Sequence, residues 1–148
     1  MVINAALRAA VADDLARIVA LLEPAGLPAT DITRGGLQDF IVALDAGEII
    51  GAAGLERHGE HGLLRSLVVA PDWRGHGLGT ALVEAVEAKA RLQGVHSLSL
   101  LTGTAAPFFA VRGYAAITRA DAPAAVQAST EFTTLCPASS TCMHKTIN

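Results

Sequence analysis

Three glycines in five residues stand at Gly75, Gly77 and Gly79, between Arg74 and Thr80. They follow a nearly continuous apolar run, Leu63 to Val69, that Pro71 stops, and they open a long helical stretch. Glycines so placed let the backbone turn tightly and present its N–H groups outward. The first turn of the following helix adds unpaired N–H groups and a partial positive charge. Together these make an anion site best suited to a pyrophosphate. Arg74 adds a charged contact at its lip and Thr80 a hydroxyl. A loop that merely turns a corner has the same composition. Two nucleotide-binding patterns do not fit. The G-x-G-x-G spacing lacks the acidic residue that closes a following strand in a dinucleotide fingerprint. No Gly-Lys-Ser/Thr follows, as a P-loop requires.

Arg65, beside Ser66, puts a charge on that otherwise apolar strand. A buried charge needs a partner. Arg65 is therefore half of a structural ion pair, or a guanidinium fork for a ligand carboxylate. Arg119 is a second candidate fork, nearer the surface. Glu56, His58, His61 and Glu131 have side chains able to move a proton, and each singly reads more readily as a solvated surface residue. His76, inside the glycine run, is expected to be exposed. Cys136 and Cys142 lie six residues apart. Soft thiolates suit a soft ion such as arsenite, but two thiols without a third make a weak site. Cys136, before Pro137, also reads as a packed core thiol.

The elements that position these residues follow from periodicity and punctuation. Val2 to Arg8 reads as a strand. Leu15, Ile18, Val19 and Leu22 make Ala12 to Glu23 an amphipathic helix, with Asp13 and Asp14 at its positive end. Asp31 to Asp39 is weakly helical. Phe40 to Leu44 and Glu48 to Arg57 read as a hairpin around Asp45-Ala46-Gly47. A turn at His58 to Gly62 leads to the Leu63–Val69 strand. The helix after the glycines runs to about Gln93, with Leu78, Leu82, Ala85, Val86, Lys89 and Leu92 on one side and Glu84, Glu87 and Arg91 outside. His96 to Leu101 is a strand, Thr104 to Arg112 a short helix and Tyr114 to Thr118 a strand. Pro123 to Ser129 is a helical turn and Thr141 to Ile147 a last strand. Hairpin strands followed by alternating strands and helices imply an α/β or α+β mixed sheet.

Composition narrows the functions. The 148 residues suit one domain, residues 1–148. Hydrophobic residues make up 51%, which excludes a disordered chain. The net charge is −3, and only Lys89 and Lys145 of the eleven basic residues are lysines. Without a strong basic surface, nucleic acid is not the expected partner. No apolar run is long enough to span a bilayer, and the opening residues read as mature protein and not as a signal peptide. Two cysteines and no disulfide framework point to the cytoplasm.

The stretch Leu67-Val68-Val69-Ala70-Pro71-Asp72-Trp73-Arg74-Gly75-His76-Gly77-Leu78-Gly79-Thr80 closely resembles the acetyl-CoA motif of the Gcn5-related N-acetyltransferases. Thr102 to Tyr114 resembles that family's second signature, Asn-x-x-Ala-x-x-Phe-Tyr-x-x-x-Gly-Phe. The stretch from Leu100 through Arg112-Gly113-Tyr114 is similar to the acetyltransferase domain of bacterial N-acetylglutamate synthases. Arg119, Pro123, Thr130-Glu131-Phe132, Cys136-Pro137, Ser139 and Met143 resemble the small N-acetyltransferases of arsenic-resistance operons.

The resemblance implies a central, mostly antiparallel sheet, splayed between the strands of Val69 and Leu100 and flanked by helices. It implies that Leu67, Val68 and Val69 pair with the pantetheine arm of acetyl-CoA. Arg74, Gly75, His76, Gly77, Leu78, Gly79 and Thr80 would hold the pyrophosphate, and Thr104 and Phe108 would flank the thiol. The reaction would be direct attack of a small molecule's primary amine on the thioester, with no metal. The amide of Val69 would stabilise the oxyanion, Glu56 is a base candidate and Thr104 a proton source. Arg65, Ser66 and Arg119 would bind the substrate, an amino acid or acidic analogue. Family members often carry a tyrosine where this chain has Phe109, and its only tyrosine, Tyr114, reads as core. An acyl-CoA sensor without turnover and an arsenite-binding accessory protein are the alternatives. A homodimer is a further expectation from the fold.

Overall fold

The computed structural model describes residues 5–148. Its strands are β1 (Ala6–Ala9), β2 (Phe40–Asp45), β3 (Glu48–His58), β4 (His61–Val69), β5 (Ser97–Thr102), β6 (Ala115–Ile117) and β7 (Thr141–Thr146). The helices are α1 (Leu15–Leu22), α2 (Leu78–Leu92), α3 (Ala106–Val111) and α4 (Ala124–Gln127). The seven strands hydrogen-bond in the order β1-β2-β3-β4-β5-β7-β6. The β1–β2, β2–β3, β5–β7 and β6–β7 pairs are antiparallel and β4–β5 is parallel. The expected mixed, mostly antiparallel sheet is present. The start of the expected first strand, residues 2–4, lies outside the described residues.

Contacts divide the chain into two compact units. One comprises Met1–Leu55 with Ser66–Ala88, the other Glu56–Arg65 with Lys89–Asn148.

In the first unit, α1 buries Ile18, Leu21 and Leu22 along one stripe. Asp13 and Asp14 sit on a 3-10 turn just before it, where the helix dipole favours them. Asp14 accepts from Arg8 Nη1 at 2.7 Å and from the Val11 amide at 2.8 Å. The Asp31–Asp39 stretch is a 3-10 turn over Arg34–Asp39 instead of an α-helix. The hairpin loop is two residues, Ala46 and Gly47, both at positive φ, and Asp45 belongs to β2. Gly54 is fixed by packing. A Cβ there would lie 2.5 Å from the ring of Phe40, its cross-strand neighbour.

The buried stripe of α2 is Leu78, Leu82, Val83, Val86 and Ala90, and it includes Glu87, which is 5% exposed. Leu92 is 89% exposed. Leu78, Leu82 and Val86 of the side read from the sequence are buried, Ala85 and Lys89 are half-buried, and the buried face is turned towards Val83, Glu87 and Ala90. The Leu78–Leu82–Val86–Ala90 row is the one the fold buries.

In the second unit, β4 pairs with β5 only over His61–Leu63 opposite Ser97–Ser99. On its other edge β5 pairs with β7 along its whole length. A small core of Leu63, Ala122, Val126, Phe132 and Cys142 lies here. The Pro123–Ser129 turn forms as α4, and a five-residue π-helical turn, Glu131–Leu135, follows it without any signal in the sequence.

Candidate functional site

The first unit builds its candidate site from backbone. β4 ends at Val69, the amide of Ala70 donates to the Ile50 carbonyl at 2.8 Å, and Pro71–Trp73 makes a 3-10 turn. Gly75 and Gly77 then adopt φ of +81° and +82°, a region other residues enter only under strain. Nothing lies within 4 Å of a Cβ built on either glycine. The glycines thus serve the turn and leave open room beside it. The amide of Ala81 donates to the Gly77 carbonyl, so the α2 ladder begins at the loop. Amides of that first turn have no carbonyl of the helix to bond.

Side chains of this unit follow the loop. Arg74 and His76 are exposed, Leu78 is buried, and Gly79 and Thr80 are half-buried. Arg74 Nε donates to the Val69 carbonyl at 3.2 Å. Leu67 and Val69 are half-buried and Val68 is buried. Ser66, where this part of β4 begins, sits at φ +59°, a left-handed non-glycine residue in mid-strand. A cleft of about 530 Å³ opens beside the loop, lined among others by Arg17, Leu21, Ile50, Val69, Trp73 and Arg74.

The second unit builds its candidate site from charged side chains. Arg65, with its side chain 4% exposed, meets Glu56 through Nη1 at 3.2 Å and Glu131 through Nη2 at 3.3 Å. Glu131 is as buried as Arg65, not solvated as its sequence context suggests. Glu56 uses its other oxygen on His58, with Oε1 2.9 Å from Nε2. The Cys136 thiol donates to Glu131 Oε1 at 3.8 Å. Burial, and then the Glu131 charge, push this thiol up to about 11. Burial also raises the Cys142 thiol. Neither is a ready thiolate, and no cluster of three metal-binding side chains occurs among the described residues.

Arg65 and Glu56 are thus brought together. The Arg65 guanidinium already faces two carboxylates and is closed off from solvent. Arg119 is turned to the tail. It donates to the carbonyls of Phe132 and Pro137 and lies over the Phe132 ring. Thr104 is exposed in the turn before α3. Phe108 is half-buried, with Arg112 stacked 3.6 Å over its ring. Phe109 is buried edge-on against Tyr114, which is 2% exposed. His61 Nδ1 lies 2.8 Å from Ser97 Oγ.

Sequence reasoning weighed Glu56, His58, Arg65 and Glu131 one at a time. No local signal joins Glu131 to a strand 66 residues earlier, and the link depends on the unforeseen π-helical turn.

Residues 36–116 match the family model described as an acetyltransferase (GNAT) domain. An amino-acid acetyltransferase of Ralstonia nicotianae is 35% identical over 125 residues, covering 79% of this chain and 28% of that protein. An acetyltransferase of Sodalis glossinidius is 36% identical over 84 residues, 55% of this chain and 59% of that one. The chain thus spans about a quarter of the length of the amino-acid acetyltransferases it matches. In fold it is similar to N-acetylglutamate synthase of Neisseria gonorrhoeae, solved with coenzyme A and N-acetyl-glutamate. That similarity has a TM-score of 0.86 at 21% identity, over all of this chain and 36% of the other. A Mycobacterium tuberculosis protein solved with CoA gives a TM-score of 0.82 at 22% identity, over 97% of this chain and 99% of its own.

Proposed function

Because the chain belongs to the GNAT acetyltransferase family, we propose that it transfers the acetyl group of acetyl-CoA to the primary amine of a small amino acid. The observation that carries this is the loop at the end of β4. Two left-handed glycines with open space beside them lead into the first turn of α2. That is a backbone cradle for a pyrophosphate. Arg74 at its lip and Thr80 in the first helical turn complete it, with Gly75, His76, Leu78 and Gly79. Leu67, Val68 and Val69 offer backbone to the pantetheine arm.

In the reaction, the amine lone pair attacks the thioester carbon. The C–N bond forms, the C–S bond breaks, and the thiolate leaves with a proton. Positioning supplies much of the rate, and the Val69 amide is the candidate oxyanion donor. The amino-acid acetyltransferase relatives, and the N-acetyl-glutamate bound in the Neisseria structure, favour an acidic amino acid as acceptor. An arsenic-bearing analogue of one belongs to the same chemical class.

The test is release of CoA thiol from acetyl-CoA against a panel of glutamate, aspartate, neutral amino acids and phosphorus- or arsenic-bearing glutamate analogues. Release with an acidic member is expected. Saturable acetyl-CoA binding without release from any amine would replace this reading with that of an acyl-CoA sensor.

A further inference from the structure

One sheet face of the second unit carries a paired arrangement that the acyl transfer does not use. On β5, Ser97 and Ser99 stand two residues apart and so share a face. Each lies opposite a histidine on a different neighbouring strand. Ser97 pairs with His61 of β4, and Ser99 pairs with His144 of β7. Both serines are buried and both histidines half-buried. His61 Nδ1 lies 2.8 Å from Ser97 Oγ. Ser99 is fully buried, and its Oγ has no hydrogen-bond partner among the described residues. A hydroxyl buried in that way is a cost that folds seldom carry without a reason. Two strand spacings and a two-residue offset put the His61 and His144 Cα atoms roughly 12 Å apart. Two imidazoles with metal–nitrogen bonds of about 2 Å can span that separation. Burial, and then His61, lower the His144 pKa from 6.5, so this ring favours the neutral form that a metal takes.

We propose that His61 and His144 form a two-imidazole site for a divalent ion of the zinc class, with Ser97 and Ser99 as positioning residues. An imidazole on a metal carries its proton on the other ring nitrogen and donates it to an oxygen, which fixes the tautomer and the ring. With the ion on His61 Nε2, Nδ1–H donates to Ser97 Oγ, beside which it already lies. Ser99 is the matching acceptor for His144, a role that gives its hydroxyl the partner it lacks. Imidazole ligands suit zinc, nickel and copper better than calcium or magnesium. Waters complete the coordination. The ion ties β4 to β7 across β5, where β4 and β5 pair only over His61–Leu63 and Ser97–Ser99. Its effect is on the stability of this short junction and lies outside the acyl transfer proposed above. His58, at the end of β3, is engaged by Glu56 and is not a ligand.

The experiment titrates ZnCl2 into the full chain by calorimetry and reads the thermal midpoint with and without the ion. One ion per chain should bind at micromolar Zn2+ and raise the midpoint by a few degrees. Ser97→Ala and Ser99→Ala should each weaken binding about tenfold or more, and His61→Gln and His144→Gln by more than that. His58→Gln and Cys136→Ala should leave it unchanged. Binding that survives both histidine ligand variants, or that is lost in His58→Gln or Cys136→Ala instead, would overturn the proposal. Binding at millimolar Zn2+ only would do the same. Because a histidine variant can disturb the sheet, the second reading is 15N NMR of the wild-type rings. Zn2+ should shift the ring nitrogens of His61 and His144 together and leave those of the exposed His76 and His96 in place. A shift confined to other histidines would equally count against the site. Neither reading uses CoA release, so this proposal and the acetyltransferase reading stand or fall separately.

Discussion

The loop after β4 and the ion network around Arg65 solve opposite problems. The loop presents its own polar groups to an incoming anion and needs nothing but backbone. Its residues, Arg74 to Thr80, are contiguous, exposed or half-buried except for Leu78, and shaped by two positive φ values. The network removes charge from water and has to satisfy it internally. It gathers Glu56, His58, Arg65, Glu131 and Cys136 from two strands and a distant turn. Damage to the loop should impair binding and leave the fold. Damage to the network should impair the fold first.

The largest effect that separates them is expected at Arg65 and Glu131. Arg65→Met leaves the Glu131 carboxylate buried without its guanidinium, which costs about 3–5 kcal/mol. The double variant Arg65→Met/Glu131→Leu removes both charges and should regain most of that loss. Urea unfolding of the two variants checks this. Equal destabilisation in single and double variants would mean the pair is not the unit, and that Glu56 alone supports Arg65.

The same contrast explains what was legible in the sequence. The loop was readable because its cause is local. Glycine at 75 and 77 is needed where the chain turns left-handed, and the apolar strand before it and the helix after it frame it. The family resemblance covered the fold for the same reason, since both of its motifs are contiguous. The network was not readable. Arg65 announced that a partner was needed, yet nothing near it in the sequence says that Glu131 is that partner. Glu131 looks solvated among Thr130, Thr133 and Thr134 until the π-helical turn folds it inward. The α2 stripe was legible in part, with Leu78, Leu82 and Val86 buried but Leu92 exposed and Glu87 buried, for an intermediate reason. An alanine-rich helix offers several apolar faces, and packing chose the one that buries Glu87.

A smaller effect sharpens the loop side. Gly77→Val forces a β-branched residue to φ +82°, with about 1–2 kcal/mol of backbone strain. Space does not oppose the side chain, because nothing lies within 4 Å of the Cβ. The loop can relieve the strain by rotating its peptides, which turns amides away from the anion. Acetyl-CoA affinity should therefore fall about tenfold while the thermal midpoint moves by only a few degrees, as calorimetry of both would read. The opposite pattern, intact affinity with a large loss of stability, would place this loop in the same class as the network.

The smallest effect lies in the second unit, where His144 on β7, between β5 and β6, tests whether burial makes a group pH-sensitive. Burial, and then the nearby His61, lower its pKa from the ordinary 6.5. A base whose folded pKa is depressed binds its proton more readily when unfolded. Its contribution is therefore complete above the unfolded value and is lost as pH falls below about 6.5. Stability between pH 7.5 and 5.5 should decline gently in wild type and less in His144→Gln. The slope stays below the Gly77 effect, because His144 is half-buried and only one proton is involved. The loop of the first unit offers no such group, since its work is done by amides that do not titrate. An unaltered slope in His144→Gln would show that burial of this imidazole does not make the fold acid-sensitive.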